Sequence, residues 1–166
     1  MTLGFDASTT CVGWAIYNGI EIIDAGFVNI SKLDTNKEKV LYVISELERN
    51  LHINSITGIN LEAALSGFKG KMTSQQTIIL LSRFNALFEY IISERFKLPV
   101  NLINVASARK KVLGKASCKG MTGKEYVLQQ IDVLFPYIHK FDKLNKRNTW
   151  DAHNADMYDA VIIASY

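Results

Sequence analysis

The first thirty residues alternate between apolar runs and turn residues, a pattern that predicts three antiparallel strands. The runs cover residues 2–7, 12–17 and 21–30. Between the second and third runs stands Asn18-Gly19, a strong signal for a two-residue hairpin. The fold is therefore predicted to open with a β-meander.

Further along the chain, apolar positions at three- and four-residue steps alternate with two short apolar runs. The runs at 56–61 and 100–105 predict a fourth and a fifth strand. The helical spacing predicts five helices, over residues 36–50, 73–95, 106–113, 122–135 and 152–166. The order βββ-α-β-α-β-α-α-α predicts an α/β fold. Its mixed five-stranded sheet has three antiparallel strands plus two entered by helical crossovers, and helices flank it.

Residue types at the ends of these elements support their boundaries. Thr73 or Ser74 is placed to cap the long helix that follows, and Thr122 with Glu125 has the spacing of a capping box. Pro99 separates that long helix from the fifth strand. The fourth apolar run leads directly into Glu62, and residues 66–72, which contain glycine and lysine, are predicted to form a loop.

Composition indicates one compact domain over residues 1–166. The chain is 48% hydrophobic and has only two prolines, without repeats or low-complexity tracts. It shows neither a secretory leader nor an apolar run of membrane-spanning length, and Cys11 and Cys118 lie in different segments. We therefore expect a soluble cytoplasmic protein with no zinc cluster and no small-molecule cofactor, in which each cysteine is a buried or bystander residue rather than a catalytic thiol.

Four acidic residues stand out by their positions. Asp6 and Glu62 come at the ends of apolar strands, where a carboxylate is costly unless it is paired or bound to a cation. Asp156 and Asp159 are three residues apart on one helix face, where they repel each other, so a positive charge is expected beside them. Each acid alone is more simply a turn, cap or solvated residue. Together they favour a site for a hard cation such as Mg²⁺ or Mn²⁺.

Three segments resemble the acidic motifs of RuvC-type Holliday junction resolvases, nucleases of the ribonuclease H-like superfamily. These segments are Leu3-Gly4-Phe5-Asp6, Asn60-Leu61-Glu62 and the run from Ala155-Asp156 through Asp159 to Ala164. The stretches Ser107–Lys115 and Lys124–Val127 resemble the basic connector and next helix of that family. The resemblance covers nearly the whole chain in order, and the small size and the loop after Glu62 resemble phage-encoded members.

The resemblance implies a ribonuclease H-like fold and a metal-dependent endodeoxyribonuclease that acts on branched DNA as a homodimer. It makes Asp6, Glu62, Asp156 and Asp159 the catalytic residues and the ligands of two Mg²⁺ ions per site, with Mn²⁺ as the alternative. His153, one turn before Asp156, is more simply a cap or surface residue than a proton-transfer group. The wide apolar pattern of residues 73–95 suits a dimer interface. A phage-encoded member would act in the cytoplasm of its bacterial host.

Basic residues are unevenly distributed, although the formal net charge is only +3. No acid lies between Arg95 and Lys124, a stretch in which basic residues alternate with glycines. Phe68 stands in the loop after Glu62 and is a candidate for stacking on a base at a junction centre or, equally, for packing back on the core. The residues predicted to contact nucleic acid are Phe68, Lys69, Lys71, Arg109, Lys110, Lys111, Lys115, Lys119 and Lys124.

Three other functions compete with the resolvase. An RNA–DNA hybrid nuclease of the same superfamily uses much the same carboxylates, and a non-catalytic junction-binding module does not need all four. The segment Gly4–Thr10 also resembles the first phosphate motif of sugar kinases and actin-like ATPases, but those proteins need two such domains. The basic connector after the fifth strand favours the resolvase over the hybrid nuclease.

Overall fold

The computed structural model describes residues 1–50, 55–64 and 74–166, with the side chain of Asn50 excepted. The strands are β1 (Thr2–Ala7), β2 (Cys11–Tyr17), β3 (Ile22–Asn29), β4 (Gly58–Glu62) and β5 (Val100–Ile103). The helices are α1 (Asn36–Asn50), α2 (Gln75–Phe96), α3 (Val105–Leu113), α4 (Gly123–Leu134) and α5 (Asn154–Ala164), with a 3₁₀ turn at Ile138–Phe141. The predicted order of elements is confirmed. The predicted loop at 66–72 lies outside the described residues.

The five strands form one mixed sheet in the order β3-β2-β1-β4-β5. β1, β2 and β3 are antiparallel neighbours, whereas β4 pairs parallel to β1 and β5 pairs parallel to β4. The β2–β3 turn spans residues 18–21 rather than the two residues predicted: the Asn18 side chain accepts from the backbone amides of Ile20 and Glu21, and Gly19 has a φ of 99°. Helices α1 and α2 provide the crossovers that parallel strands require. The predicted fold class is therefore confirmed.

Alternation along β1 and β4 sends successive side chains to opposite layers. Leu3 and Phe5 of β1, with Ile59 and Leu61 of β4, join the core beneath α1 and α2. Gly4 and Asp6 of β1, with Asn60 and Glu62 of β4, lie on the opposite face of the sheet. The Asn60 amide donates to the Ile163 carbonyl of α5, which identifies the layer that this second set faces. Both acidic strand ends therefore face the layer of α3, α4 and α5.

Helix α5 lies directly on the sheet and is buried from Met157 to Ala164. Two glycines allow this approach. A Cβ at Gly4 would lie 2.4 Å from the backbone nitrogen of Ala164, and a Cβ at Gly13 would lie 2.1 Å from the carbonyl oxygen of Asp156. The backbone separation between β2 and the first turn of α5 is therefore tightly constrained.

Capping residues set several boundaries. Ser74 caps α2, and Thr122 with Glu125 forms the predicted capping box of α4. The fifth strand ends at Ile103 rather than at the predicted residue 105, because the Asn104 side chain caps α3 and starts that helix at once. Among the described residues, no helix is both long and apolar enough to cross a membrane.

Candidate active site

Asp6 and Glu62 lie at the carboxyl ends of two neighbouring parallel strands, β1 and β4, and so at one edge of the sheet. Asp6 is buried, and its pKa is raised well above the usual value. Burial is the main cause, followed by a hydrogen bond with Glu62 and the negative charges of Glu62 and Asp156. Glu62 and Asp156 therefore both lie close to Asp6.

Asp156 and Asp159 enter the same region from α5. The Asp159 side chain is only 2% exposed, and burial with the charge of Asp6 raises its pKa to about 6, although Arg109 and Lys124 act in the opposite direction. Asp156 is more accessible. Its burial favours a higher pKa, but hydrogen bonds from Lys124 and His153 outweigh that effect and lower the pKa. The structure thus brings all four acids predicted from the sequence to one place.

The ammonium group of Lys124 lies among these carboxylates. Its Nζ is 2.5 Å from Asp156 Oδ1, 3.7 Å from Asp6 Oδ2 and 3.8 Å from Asp159 Oδ2. Burial opposes its charge, but the three carboxylates outweigh burial and raise the pKa of Lys124. The cation expected beside the Asp-x-x-Asp pair is therefore supplied by the second residue of α4.

Arg109 of α3 provides a second cation. Its Nη2 donates to both carboxylate oxygens of Asp159, at 2.8 and 2.9 Å, and its Nε donates to Oδ1 at 3.2 Å. The side chain is 12% exposed, and a Cβ at Gly123 would overlap its guanidinium. This pairing differs from the surface phosphate contact expected for Arg109, because the guanidinium is already committed to a buried carboxylate.

His153 and Cys11 surround the other side of Asp156. The Asn29 side-chain oxygen accepts from Ser31, so its amide nitrogen faces His153 Nε2 at 3.2 Å. We therefore assign the His153 proton to Nδ1, which donates to Asp156 Oδ2 at 3.1 Å. The Cys11 thiol is 1% exposed, and burial together with the Asp156 charge raises its pKa. Cys11 is buried, as expected, but it borders the site, a position that only the tertiary structure reveals.

The donor set fits a divalent cation. Four carboxylates from three elements supply oxygen ligands, which hard cations prefer. The Lys124 ammonium, itself a cation, already lies among three of them, where a metal ion would bind. When all four carboxylates are ionised, the two cations beside them, Lys124 and Arg109, leave negative charge uncompensated.

Asn85 of α2 adds a neighbour that the sequence did not reveal. Its amide donates to the backbone carbonyl of Glu62 at 3.5 Å, and its buried Oδ1 has no hydrogen-bond partner among the described residues. Asn85 resembles an ordinary polar position in the helix pattern, and its role at the end of β4 depends on tertiary packing.

The other residues predicted to contact nucleic acid divide into two groups. Lys110 and Lys111 of α3, with Lys115 and Lys119 of the α3–α4 connection, are exposed, and they follow or flank Arg109. The Lys111 ammonium contacts the Tyr166 carbonyl and lies 4.1 Å from the Tyr166 ring centroid. Phe68, Lys69 and Lys71 lie outside the described residues.

Among solved structures, two structures of RuvC from Thermus thermophilus are similar to this one. One, the RuvC structure, has a TM-score of 0.61 and 13% identity over 99% of this chain and 90% of that chain. The other, RuvC in complex with Holliday junction substrate, has a TM-score of 0.64 and 13% identity over 99% of this chain and 89% of that one. No family model and no curated protein matches the sequence. These similarities show that the chain has the RuvC-like, ribonuclease H-like fold.

Proposed function

We propose that this chain is a RuvC-type endonuclease that resolves four-way or other branched DNA junctions by metal-dependent phosphodiester hydrolysis. The observation that carries the proposal is the convergence of Asp6, Asp156 and Asp159 around a single ammonium, with Glu62 hydrogen-bonded to Asp6. The fold that the chain shares with a RuvC protein in complex with a Holliday junction supports branched DNA as the substrate class.

The four carboxylates are the residues that would hold two Mg²⁺ ions, with Mn²⁺ as the alternative. Such ions, when bound, activate water and stabilise the leaving oxygen in phosphodiester hydrolysis. Asp6 lies close to both Glu62 and Asp156, so it would hold divalent ions together with these two residues. Arg109 holds both oxygens of Asp159 and thereby fixes the orientation of that carboxylate.

In this proposal Lys124 occupies one position among the carboxylates and another toward the DNA. Its side chain is 49% exposed, so the ammonium can leave the carboxylates when divalent ions neutralise them. From the first turn of α4 it then reaches toward solvent, where a DNA phosphate would lie. The exposed residues Lys110, Lys111, Lys115 and Lys119 belong to the acid-free basic stretch between Arg95 and Lys124 and would hold neighbouring phosphates.

A homodimer would give the enzyme two such sites for two opposing strands. The outer face of α2 supports this arrangement, because Ile79, Leu80 and Tyr90 are all exposed large hydrophobic residues on one long helix. An apolar face of this kind is typical of a protein–protein contact. We therefore place the proposed dimer contact on α2.

An RNA–DNA hybrid nuclease remains the second candidate, since it would use the same carboxylates. A cleavage panel separates the two: a synthetic four-way junction, a flap and a hybrid duplex, each with Mg²⁺. We expect the wild-type protein to cut the junction or flap and to leave the hybrid intact. Asp156→Asn should stop cutting while junction binding persists, whereas Asp34→Asn, at an exposed loop position, should cut normally. Preferential cutting of the hybrid would replace the proposal, and binding of junctions without cutting would indicate a non-catalytic module.

A further inference from the structure

Cys11, His153 and Asp156 form a group whose chemistry differs from that of the carboxylate cluster. Their candidate ligand atoms all lie within 4.8 Å of one another. A thiolate and an imidazole are soft or borderline ligands, which select Zn²⁺ or Co²⁺ over Mg²⁺. We propose that Cys11, His153 and Asp156 bind a transition-metal ion such as Zn²⁺, at a second site that shares Asp156 with the carboxylate cluster.

Rigid backbone supports hold the three residues together. Cys11 begins β2, and its backbone nitrogen and carbonyl both bond to the Ser8 hydroxyl. His153 and Asp156 belong to the start of α5, which Gly13 allows to lie against β2. Zinc ligands lie about 2.0–2.3 Å from the ion, so the three donors need only a small inward movement. His153 and Asp156 are partly exposed and can make that movement.

Charge and proton balance fit a divalent ion. The Cys11 thiolate and the Asp156 carboxylate together carry two negative charges, which neutralise the ion in a partly buried site. His153 Nδ1, which now donates to Asp156, would become a ligand once the ring proton moves to Nε2, and the Asn29 amide must then rotate so that its oxygen accepts from Nε2. The thiol proton leaves to solvent, so each bound ion releases one proton. A water molecule completes the tetrahedral shell.

Because the two sites share Asp156, zinc binding should affect cleavage, an expectation that rests on the proposed nuclease function. Asp156 now accepts from Lys124 and belongs to the cluster proposed to hold Mg²⁺. Zinc bound by Cys11 and His153 would take Asp156 as a ligand and so compete with that cluster for its carboxylate. We therefore expect zinc to inhibit magnesium-dependent cleavage, and Cys11 to be required for that inhibition.

Cobalt absorption tests the binding directly and needs no enzymatic activity. The reduced full-length protein is titrated with Co²⁺ alone, and thiolate-to-cobalt charge-transfer absorption is recorded. We expect the band in the wild type and in Cys118→Ser, which removes the other thiol, and no band in Cys11→Ser. A band that persists in Cys11→Ser, or no band in the wild type, would overturn the proposal. His153→Gln keeps the test decisive if Cys11→Ser misfolds: an undiminished band in that variant would also contradict the site.

Zinc competition completes the test. Zn²⁺ should displace the cobalt, while excess Mg²⁺ should not. Loss of the Cys11 ligand should lower zinc affinity by at least the roughly 10-fold to 100-fold that outer-shell changes cost. In the cleavage assay, zinc should inhibit the wild type and spare Cys11→Ser. A cobalt band without any cleavage would contradict the nuclease proposal alone. Cleavage without a cobalt band would contradict the zinc site alone.

Discussion

The single residue that best reports the charge balance of the site is Asp6. Its folded-state pKa is raised above the ordinary value of 3.8, so ionising it costs stability in the metal-free protein. The native state binds more protons than the unfolded state between the two pKa values. The contribution of Asp6 to the free energy of unfolding is therefore largest below the unfolded pKa and is lost as pH rises through the folded one.

Asp6→Asn should consequently stabilise the metal-free protein more at pH 8 than at pH 5. Thermal unfolding in EDTA at both values measures this, with Asp34→Asn as the control for an exposed acid. Mg²⁺ should raise the melting temperature of the wild type at pH 8 and have little effect on Asp6→Asn, because binding to the native state alone adds stability. A gain from Asp6→Asn that shrinks with rising pH would show that the carboxylate is not destabilised as described.

Arg109 makes the other residue-scale prediction. Removing one partner of a buried ion pair costs about 3–5 kcal/mol, so Arg109→Met should destabilise the protein by that order in urea unfolding at pH 8. The loss should be smaller at pH 5, where Asp159 takes up a proton because its pKa is already about 6. The double variant Arg109→Met/Asp159→Asn should recover part of the loss. Equal losses at both pH values, without recovery, would contradict the assigned pairing.

At the scale of secondary structure, much of the fold follows from local pattern. Alternation in β1 separates Leu3 and Phe5 from Asp6, and the Thr122–Glu125 capping box places the start of α4 correctly. The predicted end of β5 at residue 105 is wrong. The pattern alone allows Asn104 in a strand, whereas in the fold its side chain caps α3. Local pattern and cap chemistry are therefore enough for the elements and not for every boundary.

The contacts within the site are not predictable from local pattern, because the contacting residues are far apart in the sequence. Lys124 lies 32 residues before Asp156, and Arg109 lies 50 residues before Asp159. Both appear in the sequence only as members of a basic stretch. Their insertion into the carboxylate cluster depends on how α3 and α4 pack against α5, which no local pattern encodes. The four acids were predictable because each is anomalous in its own element, whereas their counter-ions were not.

The close approach of β2 and α5 gives an element-scale prediction. Gly13→Ala would place a Cβ against the Asp156 carbonyl, so the first turn of α5 must move. We expect a loss of about 1–3 kcal/mol in urea unfolding, the usual cost of overpacking. Gly58→Ala is the matched control, because its Cβ would meet only the Thr2 hydroxyl at 3.8 Å. If the two variants are equally stable, the β2–α5 contact is looser than described.

Across the whole molecule, positive charge is concentrated in the basic connector and negative charge in the carboxylate cluster. The formal net charge of +3 conceals this separation. Binding to phosphates releases counterions, and each contact contributes about 0.9 to the slope of log affinity against log salt. Lys115→Ala/Lys119→Ala should therefore reduce that slope by about 2 in junction-binding titrations. Lys37→Ala, on the helix layer across the sheet, should leave it unchanged. An unaltered slope in the double variant would exclude these lysines from the interface.

The central claim, that the carboxylate cluster cuts branched DNA with divalent ions, is tested most directly by one cleavage measurement. A labelled four-way junction is incubated with wild-type protein or Asp6→Asn at concentrations that give equal junction binding, with and without Mg²⁺. We predict paired nicks on opposing strands from the wild type only with Mg²⁺, and none from Asp6→Asn. Cleavage by Asp6→Asn at the wild-type rate, or cleavage by the wild type in EDTA, would contradict the account.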